Sequence, residues 1–252
     1  MARTPSFDRA AVVRAARAVF WRDGYESAAV PRLEEATGLS RSSLYGAFGS
    51  KRGLFDAAVQ SYLDEVVRPR LAPLEAPEVA RDALRDYLSG LRAAFVGVDA
   101  SAPTPGCLLI NTAAGPVGAD PEVARVIAEY RAELHAAIRR GVDARTAVSR
   151  DPAHAARSAH AAHAAHTDSA DSAEQLATVI AGLVVSAFAL VRVDPAAAVA
   201  SLDAALHAID TEPAGSDSAG SDLEGSDSAA TTPNPAGAPS APGAPVPHWH
   251  RD

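Results

Sequence analysis

Between two short apolar-periodic segments the chain reads Ala36-Thr37-Gly38-Leu39-Ser40, and few arrangements accept that turn. Gly38 supplies a left-handed stop for the segment before it, Leu39 gives the buried residue that follows such a stop, and Ser40 is a cap for the segment after it. The first segment spans about 29–36, with Pro31 tolerable because it lies in the first turn. The second spans Arg41 to Phe48. Leu33, Ala36, Leu39 and Leu44 point inward and set the crossing of two short helices, and Ala36 is small where they approach. That is helix-turn-helix geometry. The outward face of the second helix carries Arg41, Ser42, Ser43 and Tyr45, groups suited to base edges and phosphates in a major groove.

The flanks extend the helical pattern. A first helix starts after Asp8, with Phe7 and Val12 spaced as a hydrophobic staple and Val12, Val13, Ala16, Val19 and Phe20 forming one apolar face up to Gly24. Ser50 caps a fourth helix, Lys51 to about Val67, which Arg68-Pro69-Arg70 is expected to end. Amphipathic segments follow at about 78–98, 106–115, 121–142, 173–192 and 195–208, with no alternating strand pattern among them. The expected fold is therefore all-α, about nine helices. It divides into a helix-turn-helix DNA-binding domain over 1–50 and a helical effector-binding and dimerisation domain over 51–210. Residues 149–171 read as a low-complexity insert, and 211–252, rich in Gly, Ser, Asp, Pro and Ala, as a disordered tail.

The net charge of −8 alone argues against a nucleic-acid partner, but its distribution does not. Residues 1–70 hold eleven Lys+Arg against eight Asp+Glu, so the basic excess lies wholly in the first quarter. The only lysine, Lys51, opens a helix beside Arg52. Two cations there oppose the helix dipole at about 0.3–1 kcal/mol each, a placement that makes sense if a DNA phosphate occupies the free N–H groups. A single cysteine, Cys107, permits no intrachain disulfide and fits a reducing compartment. The apolar run from Leu176 to Val193 is interrupted by Thr178, Gly182, Ser186 and Arg192 and reads as a buried helix rather than a membrane span. The expected location is cytoplasmic.

Phe20, Gly24-Tyr25, the Ala-Thr-Gly-Leu-Ser turn, Leu44-Tyr45, Phe48, Ser50-Lys51 and Leu54-Phe55 together resemble the N-terminal domain of TetR-family transcriptional regulators, without a gap over about 7–68. The resemblance implies a homodimer on double-stranded operator DNA, with Arg41, Ser42 and Ser43 facing bases and Tyr45 and Lys51 on phosphates; Ser40 belongs to the same surface. In such proteins a Ser or Thr caps the second helix and touches phosphate. Here the matching stretch is Ser27-Ala28-Ala29, so the cap is either Ser27, shifted by one, or missing. Further along, Gly106-Cys107-Leu108-Leu109-Ile110-Asn111-Thr112 resembles a block of one TetR subgroup, and the segments at 175–183 and 195–209 resemble its dimerisation helices. By that likeness a small-molecule effector pocket lies near Leu91, Phe95, Cys107, Ile110, Asn111, Tyr130, Leu134 and Phe188, with no cofactor. Ordinary core packing is the competing reading for the apolar members, and a backbone carbonyl is the competing partner for Asn111.

Two other chemistries are open. Cys107 at a helix start could act as a thiol sensor of electrophiles or oxidants. His154, His160, His163 and His166 invite a metal, yet their spacing drifts around a helix and no Cys or Glu completes a site, so no metal is expected. No nucleophile–base pair, acidic dyad or phosphate loop argues for an enzyme.

Overall fold

The computed structural model describes residues 7–96, 105–147 and 162–211, and every regular element among them is helical. Helix α1 (Arg9–Ser27) begins where Asp8 accepts hydrogen bonds from the N–H groups of Ala10 and Ala11 through its side chain. It buries Val12, Val13, Ala16, Val19 and Phe20, the face read from its periodicity. Gly24, at φ 79, ends its regular run as expected. The backbone kinks there and one more turn carries Tyr25 to Ser27, because Tyr25 has an aromatic cluster to join: its ring lies 6.1 Å from Phe20 and 5.0 Å from Phe55. Helices α2 (Val30–Thr37) and α3 (Arg41–Phe48) follow, separated by Gly38 at φ 68, a left-handed conformation in which a side chain would be strained.

Helix α4 (Lys51–Tyr62) does not stop at Arg68-Pro69-Arg70. It passes through a π turn, Leu63–Val67, into α5 (Arg68–Glu75), which also contains Pro73. The wider turn absorbs an extra residue just before Pro69, which enters at the start of a fresh helical segment, where its missing N–H matters least. Burial of Leu63, Val67, Leu71 and Leu74 on one side keeps the rod together. Helix α6 (Ala83–Val96) starts later than the periodicity implied. Then come the short α7 (Leu108–Ala113), a 3-10 turn at Pro116–Ala119, and α8 (Pro121–Ala147).

Helix α9 (Ala162–Leu190) begins inside the stretch read as an insert. Alanine has the highest helix propensity of any residue, so low complexity is no bar to helix. His163 and His166 fall on its first turns, whereas His154, His160 and most of the insert lie outside the described residues, as does the tail from 212. Among the described residues no three potential ligands cluster as a metal site. Helix α10 (Pro195–Thr211) packs on α6 and α9, burying Ala198, Leu202, Ala205 and Ile209. One continuous core runs from Val12 to Ile209.

The segment Ala170–Leu190 of α9 is long and apolar enough to cross a membrane. Its Ala173, Ala177, Ile180, Val184 and Ala187 instead form a fully or nearly fully buried stripe, facing α8 and α10. Arg85 and Arg145 converge on Asp210, and Arg92 on Asp203, pinning α10 to α6 and α8. These pairs are exposed, so each adds at most about 1 kcal/mol.

Candidate nucleic-acid interface

Helix α3 is tied down at its first turn. Ser40 accepts a hydrogen bond from the Ser43 N–H (3.3 Å), and its hydroxyl lies 3.0 and 3.1 Å from those of Ser42 and Ser43. The backbone N–H of Arg41 donates to Glu34 Oε1 at 2.5 Å, so α2 satisfies a helix-end donor that would otherwise go unpaired. Leu44 and Phe48 lock the inner side against the core. Arg41, Ser42 and Ser43 are exposed on the outside, and Tyr45 is half-buried. The Arg41 guanidinium rests over the Tyr45 ring, 5.2 Å from its centre. Glu34, which couples α2 to α3, was not visible as a partner in the sequence, since the contact spans seven residues through a turn.

The start of α4 is equally defined. Ser50 accepts from the Gly53 N–H at 3.0 Å. Lys51 reaches back to α1, with Nζ 3.4 Å from the Glu26 carbonyl and 4.7 Å from the centre of the Tyr25 ring. Partial burial holds the Lys51 ammonium somewhat below its ordinary pKa, with the Glu26 charge opposing that shift. At the start of α2, Ala29 occupies the cap position and offers no side-chain bond, while Ser27 is the exposed last residue of α1. Of the two alternatives for that cap, it is missing. The α1 end is braced instead by Asp23, whose carboxylate lies 2.7 Å from Arg22 and 3.6 Å from Arg32.

Among the described residues, four polar contacts reach from α1 or α4 to residues beyond 100, and none was anticipated. Arg52 makes a two-pronged ion pair with Asp120 (3.0 Å on each prong) while its Nε holds Asp56 at 2.7 Å. Asp120 in turn accepts from the Glu122 and Val123 N–H groups at the start of α8. The Arg52 hydrogen bond, aided by those backbone donors, depresses the Asp120 pKa to about 2. Glu26 accepts from the Val117 N–H (2.8 Å), Trp21 Nε1 donates to the Gly106 carbonyl (3.0 Å), and Arg192 donates to the Arg22 carbonyl (3.0 Å). Three of the four tie α1 or α4 to the segment between Gly106 and Asp120.

Of the residues placed near an effector pocket, Leu91, Phe95, Cys107, Tyr130 and Leu134 are buried, and Ile110, Asn111 and Phe188 are half-buried. Asn111 Nδ2 donates to the Pro105 carbonyl at 2.6 Å, the backbone partner weighed for it. Phe95 and Phe188 meet edge to face at 5.7 Å. Cys107 is fully buried at the cap position of α7, and its thiol lies 3.6 Å from the Tyr130 hydroxyl. Tyr62, Tyr87 and Tyr130 are all held well above the ordinary phenol pKa, first by burial and then by the neighbouring Cys107.

Comparison with known proteins agrees with the exposed, doubly capped α3. Residues 12–58 match the family model described as "Bacterial regulatory proteins, tetR family". The chain is 36% identical over 143 residues to the uncharacterized HTH-type transcriptional regulator YezE of Bacillus subtilis (strain 168), covering 56% of this chain and 72% of that one. It is also 36% identical over 110 residues to the HTH-type transcriptional repressor ComR of Escherichia coli (strain K12), covering 43% of this chain and about half (51%) of ComR. Among solved structures, it superposes with TM-score 0.60 and 29% identity on a cysteine-substituted form of the TetR-family regulator CifR complexed with 26-bp operator DNA, over 84% of this chain and 100% of that one. Helix-turn-helix geometry, the matched family model and a relative spanned over most of its length converge: this chain belongs to the TetR family of bacterial transcriptional regulators.

Proposed function

We propose that the chain is a homodimeric repressor that binds a palindromic operator and leaves it when a small-molecule effector binds the helical half. The observation that carries this reading is α3: its first turn is tied by Ser40 and Glu34, its inner side is buried, and Arg41, Ser42 and Ser43 are exposed towards base edges. Lys51 at the start of α4 and Tyr45 would hold phosphates on either side, and Ser27 lies at the neighbouring helix end. Dimerisation is supported by α9 and α10, which expose Val179, Gly182 and Ala189, and Ala196, Ala200 and Ala204. Small residues of this kind let helices of a second copy approach closely. A two-fold dimer would set two copies of α3 in successive major grooves. The work of such a protein is in the cytoplasm, with DNA. The Gly106–Thr112 block supports placement in the subgroup whose motif it resembles.

The test is selection of genomic fragments by the purified chain, with the mass of the resulting complex measured. Recovery of inverted repeats, two chains per repeat, is expected; recovery of unrelated sequences or a single chain per site would refute the reading.

A second reading, a thiol sensor, rests on Cys107, whose thiol lies 3.6 Å from the Tyr130 hydroxyl; because it is fully buried, α7 must open before an electrophile can reach it. An adduct on Sγ would displace the Tyr130 hydroxyl and press on α4 through Tyr62. Cys107→Ser separates the two: under this reading it abolishes release by electrophiles and leaves operator binding in place, and release that persists in the variant would refute it.

A further inference from the structure

The seam between α4 and the first turns of α8 holds a cleft of about 230 Å³ whose lining includes none of the eight residues placed near an effector pocket. Half of its lining is apolar: Phe55 and Val59 from α4, Leu109 from α7, Val123 and Val126 from α8. At about 30 Å³ for each water-sized group it holds roughly eight of them, the size of benzylamine. This is smaller than drug-sized pockets and more polar than most of them, an apolar floor with as many polar groups at its solvent-facing edge.

The edge decides the charge of the occupant. Arg52 and Arg125 lie there with Asp56, Glu122 and Gln60. Both guanidinium groups are already engaged, Arg52 by Asp56 and Asp120, and Arg125 by Glu129 at 2.6 Å and Glu122 at 3.9 Å. Four carboxylates therefore serve two cations. An arriving anion would have to break one of these pairs, whereas an ammonium group would find acceptor oxygens with capacity to spare. Asp56 keeps 52% and Glu122 76% of its side-chain surface exposed, so both can turn to meet it.

We propose that this seam binds a small organic cation, an ammonium group on a compact apolar body, and that its occupation weakens operator binding by drawing Asp56 away from Arg52 at the start of α4. The apolar body enters between Phe55 and Val123, and the ammonium sits between Asp56 and Glu122. Arg52 adjoins Lys51, so displacing the start of α4 relative to α8 moves the phosphate-holding end of that helix. The inference rests on the DNA-binding reading above for its effect on the operator, and on the cavity alone for binding.

Two measurements test it with the full chain: the melting temperature of the free protein, and operator affinity by fluorescence anisotropy. Each is made with benzylamine, phenylacetate and toluene as probes. Benzylamine is expected to raise the melting temperature and to lower operator affinity about 5-fold or more, the lower end of ordinary allosteric coupling. Phenylacetate and toluene should do less. Val126→Phe, which fills the seam, should abolish both responses, and Asp56→Asn should weaken them, keeping the test decisive if the bulkier variant fails to fold. Equal or stronger responses to phenylacetate would overturn the assignment of charge. Absence of any benzylamine response, or a response untouched by both variants, would overturn the site. Failure to bind operator without any probe would strike the DNA-binding reading instead, and the melting measurement would still judge the site.

Discussion

Replacing Lys51 by alanine separates a phosphate contact from a structural one, because the structural consequences nearly cancel. The ammonium lies 4.7 Å from the Tyr25 ring centre at a partly exposed site, an interaction of about 0.5–1 kcal/mol. Against this, Lys51 is the first residue of α4, where a cation opposes the helix dipole by about 0.3–1 kcal/mol. The bond to the Glu26 carbonyl is long, 3.4 Å, and adds little. Lys51→Ala should therefore change the melting temperature by less than about 4 °C. On DNA the effect is of another kind. In the proposed dimer, two phosphate contacts of Lys51 would be lost, so the slope of log affinity against log salt should become shallower by about 1.8. Over a fourfold change in salt, the gap between wild type and variant then changes by about 12-fold, largest at low salt. Anisotropy titrations of a fixed operator at four or five salt concentrations read this directly. A weakened affinity with an unchanged slope would refute the phosphate assignment, and a fall in melting temperature of many degrees would show that Lys51 serves the fold.

Arg41→Ala should relax base preference at one position of each half-site, by about 1–3 kcal/mol of discrimination, and not weaken all sequences alike; a panel of single-base operator variants distinguishes the two. Asp120 has its pKa depressed to about 2 by Arg52 and two backbone donors. Its contribution to stability is thus complete above the ordinary carboxylate value and is lost as pH falls from there towards 2. Asp120→Asn should accordingly destabilise the chain at pH 7 and match wild type near pH 2 in paired urea melts; a difference that persists at low pH would contradict this. Phe20→Ala removes a ring with no exposed surface that meets Phe55 edge to face at 5.2 Å, and should cost roughly 3–5 kcal/mol. A urea midpoint close to wild type would show the aromatic cluster of α1 and α4 to be dispensable.

The N-terminal helices were legible because their signals are local. Asp8, Gly38, Ser40 and Ser50 act on atoms two to four residues away, and the structure finds each where the sequence put it. The errors arose where a local signal competed with burial. Pro69 is a genuine breaker, yet Leu71 gained enough from the core to carry helix past it. The start of α9 lies within an Ala-rich stretch whose low complexity suggests an insert, yet alanine favours helix and α9 forms there.

The sequence by itself determined the all-helical class, the turn between α2 and α3, and the exposed face of Arg41, Ser42 and Ser43, since helix periodicity and capping are short-range and written in consecutive residues. Only the tertiary structure decided what holds that module to the rest. Arg52 meets Asp120 across 68 residues, Trp21 meets Gly106 across 85 and Arg192 meets Arg22 across 170. Such pairs depend on how helices pack, and any of the chain's many arginines could have met any acid. The cavity beside Arg52 has the same origin: it is a space left between side chains of three helices, and no run of residues describes a space.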